Sequence, residues 1–430
     1  MKKLISLAIL IASLLVTPVL SQNLNYTKEV LEELCSPEFF GRGYVNDGGR
    51  LAADYIASEL SKYKVKSFGD SYLQPFEMPI NSQTRADVWF DGVPVASDGY
   101  LLVEASSPSL SGTYSVLTLD AATLKNSRLF IRKVLENPDA FFYLDSVGLN
   151  NPELYNFAKS VIVSPLIPKK GIIEVVHRLP FGVPRKHFDP YVKIQIHASV
   201  KPEKISEIRI ENENRFVEAY PSQNVVGYVK GKTDNWIVYT AHYDGMGMYG
   251  DVHFPGANDN GSGTAMVIDL ARHFATGKKP HYSIAFILCA GEEAGLLGSK
   301  HFVNNPLVSL DKIRMTINLD MVCSGETGCT LFNGLTWPME TEMIQKLNKE
   351  VEAFPQLRVV GPAANSDHHP FHVKGVPAIF FITSGKAGPG HTAFDFAKDA
   401  LFPRYDQMFT LITDFVDQLP DTPEPVRDIK

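Results

Sequence analysis

In the second half of the chain, short and strongly apolar runs alternate with stretches whose apolar positions recur at helical spacing. Such runs are typical of strands covered on both faces of a parallel sheet, and the amphipathic stretches predict helices. The predicted strands are Val225–Val229, Trp236–Ala241, Tyr282–Leu288, Ile313–Leu319 and Ala378–Thr383. The predicted helices are Thr264–Ala275, Leu296–Val303, Thr341–Val351 and Tyr405–Leu419. We therefore expect an α/β domain with a mixed, largely parallel sheet flanked by helices.

The first half carries a different pattern. Two helices are predicted at Tyr26–Leu34 and Gly49–Tyr63, and a third at Ser127–Leu135. From about residue 75, short alternating segments broken by Pro, Gly and Ser predict strands. They include Ala86–Phe90, Tyr114–Leu119, Ala140–Leu144, Gly171–Val176 and Tyr191–Ile196. None of these segments brings His, Asp, Glu or Cys together at catalytic spacing, so we interpret residues 76–205 as an inserted β-rich domain within a domain formed by 22–75 and 206–430.

The N-terminus has the pattern of a secretory signal peptide. Lys2 and Lys3 precede an apolar run, Leu4 to Leu15, and small residues near Ser21 suit cleavage before Gln22. The run is too short to span a bilayer. We therefore expect residues 1–21 to be removed and the mature protein to be secreted or periplasmic, without stable membrane insertion.

The composition argues against nucleic-acid binding, and the positions of the cysteines indicate which of them could form a disulfide. The formal net charge of −7 provides no basic surface for nucleic acid. Cys323 and Cys329 flank a short Gly-containing loop, and in an oxidising compartment we expect them to form a disulfide. Cys289 ends an apolar run and is expected to be a buried free thiol.

Histidine and carboxylate side chains follow several predicted strands. His242 directly follows Trp236–Ala241, and Asp244 lies two residues further, on the same side of an extended segment. Asp244 can then orient His242. Asp259 lies in a Gly/Asn-rich turn before a predicted helix, where ordinary turn chemistry would also account for it.

Three further groups complete the set. Glu292 and Glu293 come just after the strand Tyr282–Leu288, Asp320 follows Ile313–Leu319, and His391 lies between Gly390 and Thr392. Adjacent carboxylates beside a core strand are costly unless a cation neutralises them, although an acidic first helical turn is an ordinary alternative. Ligands of this kind suit zinc, and a shared carboxylate can hold two ions. The residues therefore predict a hydrolase with a two-metal centre at the carboxyl ends of the strands.

Two other motifs are excluded by their context. Gly245–Gly250 matches the dinucleotide-binding glycine pattern, but no helix begins after it. Gly261-Ser-Gly263 lacks the spacing of a nucleophile elbow. The sequence also has no His-Glu-x-x-His motif for a single-zinc helical protease.

Taken together, the motifs resemble the secreted zinc aminopeptidases with co-catalytic metals, a family that also includes glutamate carboxypeptidases and glutaminyl cyclases. The resemblance covers roughly residues 26–75 and 221–430. It rests on His242-Tyr-Asp244, Gly256–Gly263, Gly291-Glu-Glu-Ala-Gly295, Asn318–Met321, Ser366-Asp-His368 and Gly390-His-Thr392, with Arg42-Gly43 and Ser222–Gly227 as outer elements.

The resemblance implies a zinc exopeptidase-like fold and a role for each residue. One zinc would be held by His242 and Asp320 and the other by Glu293 and His391, with Asp259 bridging the two ions. Glu292 would be the general base, and Asp244 would support His242. The insert resembles a degenerate protease-associated domain.

The expected function is that of a metalloprotease that removes the N-terminal residue from peptides with a free N-terminus. Asp367 and His368 are candidates to support the metal ligands, whereas His369 is expected to be exposed. One set of apolar residues lies in loops near these motifs, and two roles are possible for it: lining an apolar substrate pocket, or packing against the body of the domain. These residues are Met246, Met248, Tyr249, Phe254 and Trp337. A glutaminyl cyclase-like acyltransferase with one zinc, or a metal-free binding module on the same fold, are the alternatives. The sequence leaves the oligomeric state open.

Overall fold

The computed structural model describes residues 22–95, 99–179 and 189–421, so the expected signal peptide at 1–21 lies outside the described residues. The helices in chain order are α1 Leu24–Leu34, α2 Gly48–Lys62, α3 Ala121–Lys125, α4 Ser127–Leu135, α5 Ser146–Leu149, α6 Pro152–Ile162, α7 Ser262–Thr276, α8 Leu297–Asn304, α9 Pro338–Glu350, α10 His368–Val373 and α11 Tyr405–Gln418.

The strands in chain order are β1 Leu73–Phe90, β2 Val93–Pro94, β3 Leu101–Val103, β4 Leu110–Thr118, β5 Phe141–Asp145, β6 Gly171–Val176, β7 Val192–His197, β8 Glu207–Val229, β9 Trp236–His242, β10 Gly247–Tyr249, β11 Val252–Phe254, β12 Ser283–Cys289, β13 Ile313–Leu319, β14 Gly328–Phe332, β15 Leu357–Val359 and β16 Ala378–Ser384.

The half of the sheet that carries the predicted chemistry has the order β15-β14-β16-β13-β9-β12-β8. Strands β12, β9, β13 and β16 run parallel to their neighbours within this group. Strands β8 and β14 pair antiparallel with β12 and β16. Side chains of β9, β12 and β13 are buried along their whole length, because helices cover both faces. The predicted mixed, largely parallel sheet is confirmed.

The segment predicted as an insert has its own layers. Strands β4, β5, β6 and β7 are mutually parallel. Two separate apolar clusters pack on the two faces of this part of the sheet. Helices α3 to α6 lie here, of which the sequence pattern predicts only α4. Helix α6 had recognisable start signals, since Asn151 caps it and Pro152 occupies its first turn. The domain boundaries at 76 and 205 stay a prediction.

A long antiparallel ribbon joins the two halves. Strand β1 pairs with β8 from Leu73 opposite Val225 to Phe90 opposite Ile208. The register of this pairing shifts between Met78 and Ile80 and again between Gln83 and Arg85. The sequence pattern predicts only short, separate strands in this ribbon. None of the helices in the described ranges is long and apolar enough to cross a membrane.

The predicted disulfide between Cys323 and Cys329 is wrong, because both cysteines are free and buried. Cys329 lies within β14, where it is paired with β15 on one side and β16 on the other. The thiol of Cys323 instead donates to Asn258 Oδ1 at 3.1 Å. Cys289 is a buried free thiol, as predicted.

Candidate metal centre

The parallel register of three strands places the predicted residues at one edge of the sheet. His242 is the last residue of β9 and lies opposite Cys289, the last residue of β12. Glu292 and Glu293 follow β12 after a short turn, and Asp320 directly follows β13. Asp259 and His391 lie on loops that reach the same edge, as their contacts show. The structure therefore brings together all five predicted metal ligands and the predicted base.

Asp259 lies between the two histidines. Its Oδ1 is 3.5 Å from His242 Nε2, and its Oδ2 is 3.1 Å from His391 Nε2. On the first side, His242 Nε2 is 3.4 Å from Asp320 Oδ1. On the second, His391 Nε2 is 3.1 Å from Glu293 Oε2. The two oxygens of one carboxylate thus face two separate groups of ligand atoms.

The donor atoms suit a metal ion. Ligand atoms of His242, Asp259 and Glu293 lie within 4.8 Å of one another, and so do those of His242, Glu292 and Asp320. Glu293 Oε1 and Asp320 Oδ1 are buried and have no hydrogen-bond partner in the protein. Unpaired buried carboxylate oxygens are costly unless a cation coordinates them. Imidazole and carboxylate ligands at this spacing fit zinc.

Burial and the neighbouring carboxylates raise the pKa values of several side chains in the site, so that protons are retained there. Burial raises the pKa of Glu293 to about 7, and the negative charge of Asp259 adds to the effect. Burial also raises the pKa of Glu292 well above its usual value. Although burial opposes it, hydrogen bonds to Asp259 and Glu293 raise the pKa of His391 to about 11. A bound metal requires neutral histidines and would take over this positive charge.

Asp244 contacts its neighbours differently from the prediction. The Nδ1 atom of His242 lies 3.0 Å from the backbone carbonyl of Asp244 but 3.8 Å from its carboxylate. That carboxylate accepts hydrogen bonds from the Tyr44 hydroxyl at 2.6 Å and from the backbone N–H groups of Glu292 and Glu293 at 3.1 and 3.3 Å. The main chain of Asp244 therefore orients His242, and its side chain fixes the turn that carries the two glutamates.

The Ser366–His368 motif reaches the site through its serine. The hydroxyl of Ser366 donates to Asp320 Oδ2 at 2.8 Å and accepts from Asn318 Nδ2 at 2.8 Å. Asp367 accepts from the Ser299 hydroxyl at 2.5 Å. His368 is fully buried, and burial lowers its pKa to about 3. His369 is half-buried rather than exposed.

The loop residues considered for a substrate pocket are largely packed inward. Met246, Tyr249, Phe254 and Trp337 are 5%, 5%, 1% and 4% exposed. Only Met248 of this set is half-buried. The packing alternative accounts for them better than a substrate pocket does.

Sequence reasoning missed Asp395, which holds the loop of the proposed bridging residue. Its carboxylate accepts from the backbone N–H of Asn258 at 2.9 Å and of Asp259 at 3.0 Å. Its backbone carbonyl accepts from Ala257 N–H at 3.0 Å. The sequence offered only its position four residues after His391 as a signal.

Arg42, an outer element of the resemblance, has a clear structural role. It is fully buried and donates to the carbonyls of Tyr243 at 2.8 Å and of Pro255 and Gly256 at 2.7 Å each. These carbonyls belong to the two loops that carry His242 and Asp259. Arg42 therefore ties both loops together beneath the site.

Asp395→Ala is expected to weaken zinc binding by roughly tenfold to a hundredfold, the usual effect of removing a group that orients a metal ligand. Both backbone N–H groups would lose their acceptor, leaving Asp259 less firmly placed. Zinc affinity measured by competition with a chelator tests this expectation. Asp399→Ala, an exposed change in the same loop, is the control and should bind zinc normally.

The chain is similar in sequence to known peptidases. Residues 224–416 match the profile of Peptidase family M28. Aminopeptidase YwaD of Bacillus subtilis is 34% identical over 173 residues, which cover 37% of this chain and 35% of that protein. A probable leucine aminopeptidase of Trichophyton verrucosum is 26% identical over 223 residues, 49% of this chain and 59% of that protein. The chain therefore spans about a third to three fifths of the length of these curated relatives.

Two solved structures share the fold over nearly the whole chain. A zinc aminopeptidase from Bacillus subtilis has 20% sequence identity and a TM-score of 0.64, covering 94% of this chain and 98% of that one. A Peptidase M28 precursor from Shewanella amazonensis has 18% identity and a TM-score of 0.67, covering 94% and 95%.

Proposed function

We propose that the chain is a member of peptidase family M28, whose profile residues 224–416 match, and that it is a zinc-dependent aminopeptidase that removes N-terminal residues from peptides. The observation that carries this proposal is the position of Asp259. One of its carboxylate oxygens faces His242, and the other faces His391. A carboxylate in this position can be shared between two metal ions.

In this proposal His242 and Asp320 would hold one zinc, Glu293 and His391 would hold the other, and Asp259 would supply one carboxylate oxygen to each. When bound, a zinc pair lowers the pKa of water and polarises a carbonyl oxygen. Buried carboxylates around the pair would also attract the α-ammonium of a peptide, which accounts for action at the N-terminus.

Glu292 is proposed as the general base. Its side chain is 12% exposed and its Oε2 lies 3.9 Å from His242 Nε2, on the side of Asp320. It would take one proton from the attacking water as the water oxygen bonds to the peptide carbonyl carbon. The same proton then passes to the amide nitrogen as the carbon–nitrogen bond breaks. Glu292 could otherwise serve as a metal ligand, and substitution separates the two roles.

We also propose that the protein acts outside the cytoplasm after removal of residues 1–21. The support is the pattern of the N-terminal sequence. N-terminal sequencing of the protein recovered from an expressing cell should begin near Gln22. A sequence that begins at Met1 or Lys2 would contradict this.

The purified protein is expected to contain about two zinc ions per chain, because the two oxygens of Asp259 face His242 on one side and His391 on the other and one carboxylate can be shared by two metal ions. Elemental analysis after mild purification measures this number. A value near one that does not rise on adding zinc would instead favour the glutaminyl cyclase alternative.

Substrates are expected to need a free N-terminus. Aminoacyl chromogenic substrates should be cleaved, whereas their N-acetylated forms should not, because acetylation removes the ammonium charge that the carboxylates attract. Comparing initial rates for the two forms provides the test. Equal turnover of both would rule out an aminopeptidase.

A further inference from the structure

A small cavity in the insert lies apart from the metal centre. Its volume is about 160 Å³, and it lies between helix α6 and strands β5, β6 and β7. Four charged side chains line it: Glu104, Glu174, Lys159 and Lys193. An apolar cavity of similar size, about 150 Å³, accommodates a molecule such as benzene. The space therefore suits a molecule no larger than a single amino acid.

The sheet register explains why these groups meet. Glu174 of β6 lies between Leu144 of β5 and Gln195 of β7, each directly opposite it in a parallel pair. Ile172 and Lys193 form the next row on the same face, because alternate residues of a strand share a face. One row therefore offers a carboxylate and an amide, and the other offers an ammonium beside an apolar side chain.

The charged side chains that line the cavity form ion pairs with one another. Lys159 Nζ lies 2.6 Å from Glu174 Oε1, and Lys193 Nζ lies 3.8 Å from Glu104 Oε2. Asp189, outside the lining, pairs with Lys193 at 2.8 Å. The lining itself has two acidic and two basic side chains, so its formal charge is zero. A ligand with both a positive and a negative group matches this arrangement better than a simple cation or anion.

One polar atom in the lining lacks a partner. Gln195 donates through Nε2 to Glu104 Oε1 at 2.9 Å, but its own Oε1 is buried without a hydrogen bond. Such an acceptor costs free energy unless a donor reaches it. A bound ammonium group beside Gln195 and Glu174 would supply the missing donor.

We propose that this cavity binds a free α-amino acid with a small apolar side chain. Its ammonium would contact Glu174 and Gln195, and its carboxylate would contact Lys193. Its side chain would lie against the apolar part of the lining: Leu144, Ile162, Val163 and Ile172. This binding does not depend on the proposed peptidase activity.

Calorimetric titration of the zinc-loaded full chain with L-leucine tests the proposal. Glu174→Gln should weaken leucine binding at this site by roughly tenfold to a hundredfold, the usual effect of losing a charged hydrogen bond. Glu153→Gln, an exposed change on helix α6, which also lines the cavity, is the matched control and should bind normally. N-acetyl-leucine and leucinamide, which lack one charge each, should bind more weakly than leucine.

Two further measurements separate this site from the metal centre and from a folding defect. Asp259→Ala should retain the leucine binding that Glu174→Gln loses. Lys193→Met should remove the preference for leucine over leucinamide, which a general loss of folding would not do. Leucine binding that is lost in Asp259→Ala but unchanged in Glu174→Gln would overturn the proposal, as would the absence of any binding to the zinc-loaded protein.

Discussion

Glu292→Gln should lower kcat by roughly a hundredfold to ten-thousandfold, the usual range for losing a general base, while the zinc content stays unchanged. The substitution preserves the shape of the side chain and removes only its ability to accept a proton. The Glu292 side chain is 12% exposed and its carboxylate lies near His242, so the amide should fit without rearrangement. Steady-state kinetics together with elemental analysis measure both quantities on one preparation.

Glu293→Gln is the matched control for this result. It changes the neighbouring residue in the same way, but Glu293 Oε2 contacts His391 and its Oε1 is unpartnered. This variant should therefore lose zinc as well as activity. If Glu292→Gln also lost zinc and regained activity when zinc was added back, Glu292 would be a ligand and the proposed roles would be wrong.

Asp259→Ala should lower kcat by more than roughly ten-thousandfold, the upper limit for losing a general base. The loss is larger because both proposed metal ions depend on this residue. Its two oxygens face different histidines, so one substitution removes a ligand from each side. Elemental analysis should find almost no zinc. Adding zinc should raise the Tm of the wild type, since a ligand that binds the native state stabilises it, but not that of the variant.

Asp320→Ala provides the comparison, because Asp320 contacts only the His242 side. It should retain about one zinc ion on the side of Glu293 and His391. Circular dichroism should show both variants folded. Retention of two zinc ions in Asp259→Ala would exclude a bridging role for this residue.

The buried strands of the sheet could be predicted from the sequence because each is an unbroken apolar run. Ile313–Leu319 was predicted with the same bounds that the structure shows. The full length of strands β1 and β8 could not be predicted from the sequence, because both strands alternate between buried and exposed positions and contain prolines. A continuous strand of 23 residues, as in β8, is also far longer than the usual five to six. The local hydrophobic pattern therefore predicts several short strands instead of one long strand.

The residues proposed as metal ligands could be picked out from the sequence because each follows a strand end or lies in or beside a glycine-rich turn. Asp395 was not, because its hydrogen bonds to Asn258 and Asp259 join residues 137 and 136 positions apart. Arg42 similarly binds carbonyls more than 200 positions away along the chain. Contacts of this range depend on the complete fold and leave no periodic trace in the sequence.

The paired strands β1 and β8 connect the two halves of the molecule, and we expect this connection to bend elastically along its length rather than to rotate about a few hinge residues. A hinge needs a few residues that absorb large changes in φ and ψ, whereas cross-strand hydrogen bonds restrain both strands here. Bulged positions bend most easily, so flexing should concentrate near Met78 and Gln83. A load applied to the insert would pass along β8 to β12, its hydrogen-bonded neighbour. Because β12 leads directly to Glu292 and Glu293, twisting of the insert is mechanically linked to the position of the proposed base.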